Sequence, residues 1–144
     1  MTQQELKTFF GRIRKERYEI EHLRELIRSA KASLLPSGIS YDRDKIQTSP
    51  DDTMSKIMAK AVDMQKELEN GIASLQERHI EAEKLIQSLD NSDEREVMRY
   101  YYLDTDNGRP LTWEQVAIRM NFHARTVYKV HDRAINNMAD KKGA

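Results

Sequence analysis

An all-α chain, with a long N-terminal helical hairpin of coiled-coil type followed by a C-terminal helix-turn-helix, is predicted by three features of the 144-residue sequence. Good helix formers such as Glu, Lys, Arg, Leu, Met and Ala are abundant, while the sequence holds only 5 Gly and 3 Pro. Two apolar rows repeat every seven residues through the first part of the chain. A capped pair of shorter helices separated by a tight turn closes it. Strands have little support, and a large compact core is not expected.

The first row is Leu6, Ile13, Ile20, Ile27 and Leu34, with Phe9, Leu23 and Ala30 at intermediate positions and Glu16 interrupting them. Between these lie Arg12, Arg14, Lys15, Arg17, Glu19, Glu21, Arg24, Glu25 and Arg28, a solvated surface with ion pairs three or four residues apart. Residues 35–49 contain Pro36, Gly38 and several Ser and Asp, and read as a long loop. Ser49 then offers an N-cap, Pro50 the first helical position, and Asp51 and Asp52 charge for the dipole. In the second helix Met54, Ala61, Leu68, Leu75, Ala82 and Leu89 repeat by seven, widened by Ile57, Met64, Ile72 and Ile86, with Gly71 a weak point. Such a stripe cannot be buried by one helix alone. It predicts an antiparallel hairpin or pairing with a second subunit, hence a homo-oligomer with a dimer favoured.

Asp90, Asn91 and Ser92 offer a fresh cap, and Val97, Tyr100, Tyr101 and Leu103 predict a shorter helix ending near Leu103. Asp104 to Pro110 is a turn-rich loop. Thr112 and Gln115 form a capping box, and Leu111 can staple onto Val116. Val116, Ala117 and Met120 supply an apolar face, Asn121 suits a left-handed turn, and Phe122 can plug the corner. His123 or Ala124 opens a last helix, apolar at Val127, Val130, Ala134, Ile135 and Met138 and outward-facing at Ala124, Arg125, Tyr128, Lys129, Asp132 and Arg133. The expected division is residues 1–90 for oligomerisation and 91–144 for binding DNA.

The stretch LTWEQVAIRMNFHARTVYKVHDRAINNM resembles region 4 of the sigma-70 family of RNA polymerase subunits, and the likeness reaches back through EREVMRYYYL. A coiled-coil half ahead of one such module is similar to phage-encoded late transcriptional regulators of the ArpU and RinA type. The resemblance implies a sigma region 4-like helix-turn-helix, double-stranded DNA as partner and a possible contact with host RNA polymerase. No segment corresponds to sigma region 2, Asn121 stands where Gly is usual, and Tyr128 stands where Arg is common. Target sequence and polymerase contact therefore do not carry over.

Formal charge is zero, with 24 basic and 24 acidic side chains, so any electrostatic argument must be local. From Arg119 onward six Lys or Arg face two Asp, whereas residues 1–90 are nearly balanced. The candidate DNA-binding residues are His123, Ala124, Arg125, Thr126, Tyr128, Lys129 and Arg133. Arg125 and Lys129 suit donation to guanine, while Arg133 and Lys141 suit phosphate. Tyr128 suits a thymine methyl or a phosphate, with an ordinary helix-surface tyrosine the alternative. His123 and His131 lie eight residues apart, too far to share a metal on one helix, and His22 and His79 stand on separate helices without other ligands. Tyr100, Tyr101 and Tyr102 point in different directions, so at least one belongs to the core, with Trp113.

No phosphate loop, nucleophile-base spacing or paired acidic motif stands out, so neither an enzyme nor a cofactor is expected. The sequence holds no cysteine and no apolar run of the roughly 20 residues that span a bilayer, and MTQQELKTFFG is no signal peptide, so a cytoplasmic protein without membrane partner is expected. The reading is a transcriptional regulator. The alternatives are a DNA-packaging adaptor similar to the small terminase subunit, and a polymerase-binding module that does not touch DNA.

Overall fold

The computed structural model describes residues 1–33 and 50–143. Helix α1 spans Gln3–Ser33 and α2 spans Pro50–Gln87. Then follow α3 (Ser92–Met98), a π-helical turn (Arg99–Leu103), a minimal hairpin of β1 (Thr105–Asp106) and β2 (Arg109–Pro110), α4 (Trp113–Met120) and α5 (Ala124–Gly143). The chain is all-α. Leu34, the loop expected at 35–49 and the Ser49 cap lie outside the described residues. α2 runs through Gly71 without a break.

Among the described residues, 20–33 and 50–72 form one compact unit. Ile20 and Ile27 of α1 and Ala61 and Leu68 of α2 are its buried positions, as the seven-residue rows require. The Ile20 side chain packs beside Gly71, where an added Cβ would meet it at 3.6 Å. Met54, assigned to the seam by its spacing, is instead 45% exposed within the chain.

Residues 1–19 and 73–144 form the other unit. Leu6, Phe10 and Ile13 of α1 are fully buried with Ala82, Leu85, Ile86 and Leu89 near the end of α2, Met98 and Tyr102, and Ala134, Ile135 and Met138 of α5. The second buried row of α1 thus runs through Phe10, four residues after Leu6 and three before Ile13, and not through Phe9, which packs partly buried at its edge. Glu16 accepts three bonds from Arg78 at 2.7–3.0 Å, and Arg17 meets His79 at 3.4 Å, tying the two helices together within this unit. Glu16, which breaks the apolar row, is therefore a pairing residue. A smaller apolar layer holds Val97, Leu111, Val116, Ala117, Val127 and Val130.

Asn91 caps α3 by accepting from the Glu94 amide at 3.0 Å. The Asp104 amide donates to the Arg99 carbonyl at 2.9 Å, five residues back, and this π turn inserts one residue at the helix end. Of the tyrosines in this turn, Tyr102 enters the main core, while Tyr101 meets Trp113. The segment expected to be only a loop closes into a two-pair ladder, Thr105 opposite Pro110 and Asp106 opposite Arg109. Asn107 and Gly108, at φ 52° and 80°, supply the positive angles that a type I′ hairpin turn demands.

Replacing Phe10 with Ala is expected to cost about 3–5 kcal/mol of unfolding free energy, the range for deleting a buried aromatic side chain. Phe9→Ala should cost clearly less. Urea denaturation followed by circular dichroism distinguishes them, and equal losses would contradict the register of α1 described above.

Candidate nucleic-acid interface

The helix-turn-helix is assembled by local hydrogen bonding that its sequence spells out. Thr112 Oγ1 accepts from the Gln115 amide at 3.2 Å, and Gln115 Oε1 accepts from the Thr112 amide at 2.8 Å, closing the capping box. Gln115 Nε2 also donates to Asp106 at 3.3 Å, joining the cap to the hairpin. α4 ends at Asn121 in the left-handed conformation, φ 59° and ψ 42°. There the Phe122 amide donates to the Ala117 carbonyl at 2.9 Å and the Asn121 amide to that of Ile118 at 3.2 Å, the bond pair of a Schellman turn. The His123 carbonyl accepts the first bond of α5 from Val127 at 3.1 Å. Phe122 and Ala124 then lie against the smaller core.

Every apolar position expected to face inward on α5, Val127, Val130, Ala134, Ile135 and Met138, is buried. On the opposite side His123, Arg125, Thr126, Tyr128, Lys129 and Arg133 are exposed, and Ala124 is half-buried at the corner. Arg125, Lys129 and Arg133 form no hydrogen bond or ion pair among the described residues. One residue of the basic C-terminal count does not join them: Arg119 turns to Asp104 at 3.6 Å and over the Tyr100 ring. The side chain of Lys141 lies outside the described ones.

Tyr128 is 43% exposed, yet its ring stands edge-on to Trp113 with centroids 5.1 Å apart. It therefore belongs to an aromatic group as well as to the surface. Trp113 stacks on Tyr101 at 3.6 Å and 9°, and meets His131 edge-on at 4.9 Å. Arg14 of α1 completes this group, its guanidinium 4.3 Å from the Tyr101 ring centre and donating to the Leu111 carbonyl at 2.7 Å. Nothing in the spacing of α1 separates Arg14 from its charged neighbours. The bond from Gln3 to Asn136 of α5 at 2.8 Å was equally illegible.

His131, whose spacing from His123 argues only against a shared metal, is buried. Its Nε2 lies 2.7 Å from the Tyr102 hydroxyl. Burial pushes the His131 pKa down from 6.5 and the phenol of Tyr102 up, so the stable pairing has the tyrosine O–H donating to a neutral imidazole. The ring proton then sits on Nδ1, 3.5 Å from Asp132, whose charge opposes part of the downward shift, while Lys7 reinforces it. Among the described residues no group of three His, Asp or Glu could hold a metal ion, and no helix is long and apolar enough to cross a membrane.

A family model described as a protein of unknown function (DUF1492) matches residues 34–139. No curated protein and no solved structure matches the chain.

Because the folded pKa of His131 is depressed, the unfolded chain binds its proton more readily, and stability rises with pH across that interval. The contribution is complete above about pH 6.5 and is lost as the pH falls below it. His131→Gln, which keeps an acceptor for Tyr102, should flatten this part of the stability profile in denaturant titrations between pH 7 and pH 5. An unchanged slope would sink the assignment of a neutral buried imidazole.

Proposed function

We propose that this chain, which belongs to the family of proteins of unknown function DUF1492, is a sequence-specific DNA-binding transcriptional regulator that lays α5 in the major groove. The observation that carries the reading is the row Arg125, Lys129 and Arg133, exposed at four-residue spacing on a helix whose other face is buried, with no carboxylate paired to any of them among the described residues. The left-handed turn at Asn121 and the short α4 before it supply the supporting frame. The likeness of residues 94–138 to sigma-70 region 4, and of the whole arrangement to phage late regulators of the ArpU and RinA type, supports the finer reading. RNA polymerase is then a candidate second partner.

In this reading Arg125 and Lys129 donate to base edges near the start of α5, Arg133 contacts phosphate, and Thr126 and the His123 and Ala124 corner approach the backbone. Tyr128, steadied by Trp113, contacts a thymine methyl or a phosphate. Net charge adds nothing to affinity, so tight binding depends on more than one module per complex. Met54, Met58 and Val62, 45–54% exposed at four-residue spacing on α2, form an apolar row suited to a second copy of the chain.

Two measurements test these assignments. With DNA fragments selected by the purified protein, Arg125→Ala should weaken binding by about 1–3 kcal/mol and relax base preference, whereas Arg133→Ala should weaken all sequences alike and lower the salt slope by about one. Equal losses on every sequence from both changes would remove the base-reading role. In sedimentation equilibrium the double variant Met58→Glu, Val62→Glu should shift a dimer to monomer while leaving helicity intact. A monomeric parent chain would discard the second-copy reading.

A further inference from the structure

A cleft of about 580 Å³ opens within the unit formed by residues 1–19 and 73–144. Its cations are Lys7, Arg14 and Lys15 of α1 and Arg109 of β2, its aromatic walls include Tyr18 and Trp113, and no carboxylate lines it. In a chain with 24 basic and 24 acidic side chains this segregation is a local event. Elsewhere on α1, Arg12, Arg24 and Arg28 are each paired to a glutamate at 2.6–2.8 Å. Lys7, Lys15 and Arg109 have no such partner among the described residues. Like charges gathered around a concave surface repel one another and concentrate its positive potential, which a multivalent anion relieves. The volume falls in the range of small-ligand sites.

The aromatic groups narrow the class of anion. Trp113 at 3.6 Å and the Arg14 guanidinium at 4.3 Å are too close to the Tyr101 ring centre to share one face, so that ring is covered on both sides. Arg14 is thereby a fixed charge in the wall, anchored further by its bond to Leu111. Tyr18 is different: it is 53% exposed and stands among the cations. An exposed ring beside several free ammonium and guanidinium groups suits a ligand carrying both a planar base and a polyanionic tail. Duplex DNA offers phosphates but keeps its bases stacked within the helix.

We infer that this cleft binds a phosphorylated nucleoside, its phosphates held by Lys7, Lys15 and Arg109 and its base stacked on Tyr18. The site does not use Arg125, Lys129 or Arg133, although Trp113 in its wall also touches Tyr128 of α5. Trp113, the single tryptophan of the chain, lines the cleft and reports its occupancy.

The test is titration of the full-length protein with ATP, GTP, inorganic tripolyphosphate and a DNA duplex, following Trp113 fluorescence and the heat of binding. ATP or GTP should give a saturable change that tripolyphosphate reaches only at higher concentration. Lys15→Glu should raise the nucleotide Kd about tenfold, the effect of losing one charged contact. Tyr18→Ala should raise it by a similar factor, about tenfold, while leaving the tripolyphosphate Kd unchanged. Both positions are exposed, and circular dichroism verifies that the variants fold. Arg125→Ala should leave the nucleotide Kd unaltered, which separates failure of this site from failure of the DNA reading. Absence of a saturable response to either nucleotide overturns the inference, as does equal affinity for tripolyphosphate, which would mean an unspecific anion site. Loss of duplex binding in Lys15→Glu without any nucleotide response would also overturn it and would assign the cations to the DNA backbone.

Discussion

Leu6, Phe10 and Ile13 of α1, closed from water by α2 and by Ala134, Ile135 and Met138 of α5, are the contact on which the C-terminal module stands. A long amphipathic helix gains little stability by itself, because its apolar stripe stays wet until another surface covers it. Here α5 is one of the covering surfaces. The side of α5 that is dry is set by that demand, and the side that carries Arg125, Lys129 and Arg133 is what remains. Helix α1 thus packs beneath the helix-turn-helix as well as against α2.

The aromatic and polar layer above this core is more constrained than its apolar base. Tyr102 and His131 are buried together, and each satisfies the other through one short hydrogen bond. Leaving either without its partner would strand a polar atom away from water, at a cost larger than the net value of an ordinary hydrogen bond. Tyr101, Trp113 and Arg14 form a second layer in which rings and guanidinium stack. The π turn carries both layers, with Tyr102 in the main core and Tyr101 against Trp113.

Electrostatics follows the same economy of local placement. Arg12, Arg24 and Arg28 of the first helix are each neutralised by a glutamate one turn away, and Glu16 joins Arg12 and Arg78 in a shared pairing. The exposed pairs of Arg24 with Glu21 and Arg28 with Glu25 contribute little stability. Once all these pairs are accounted for, two groups of cations remain without an ion pair among the described residues, on the outer side of α5 and in the cleft beside Tyr18. Neither region is visible in a net charge of zero.

Local chemistry was legible in the residues. The capping box at Thr112 and Gln115, the left-handed Asn121, the cap offered at Asn91 and the inward row of α5 depend on neighbours three or four positions away, and their patterns predict the geometry directly. The all-α class follows from the same short-range signals. What the sequence did not disclose depends on residues far apart in the chain: Phe10 and not Phe9 as the core ring, Arg14 singled out from a row of similar cations, and His131 drawn inward to Tyr102. The π turn and the short β1–β2 ladder are also tertiary outcomes, because each trades a regular local conformation for the orientation of Tyr101, Tyr102 and Arg109 against α1. Periodicity reports which residues share a face; only packing decides which face meets which, because burial is a property of the partner surface and not of the helix that seeks it.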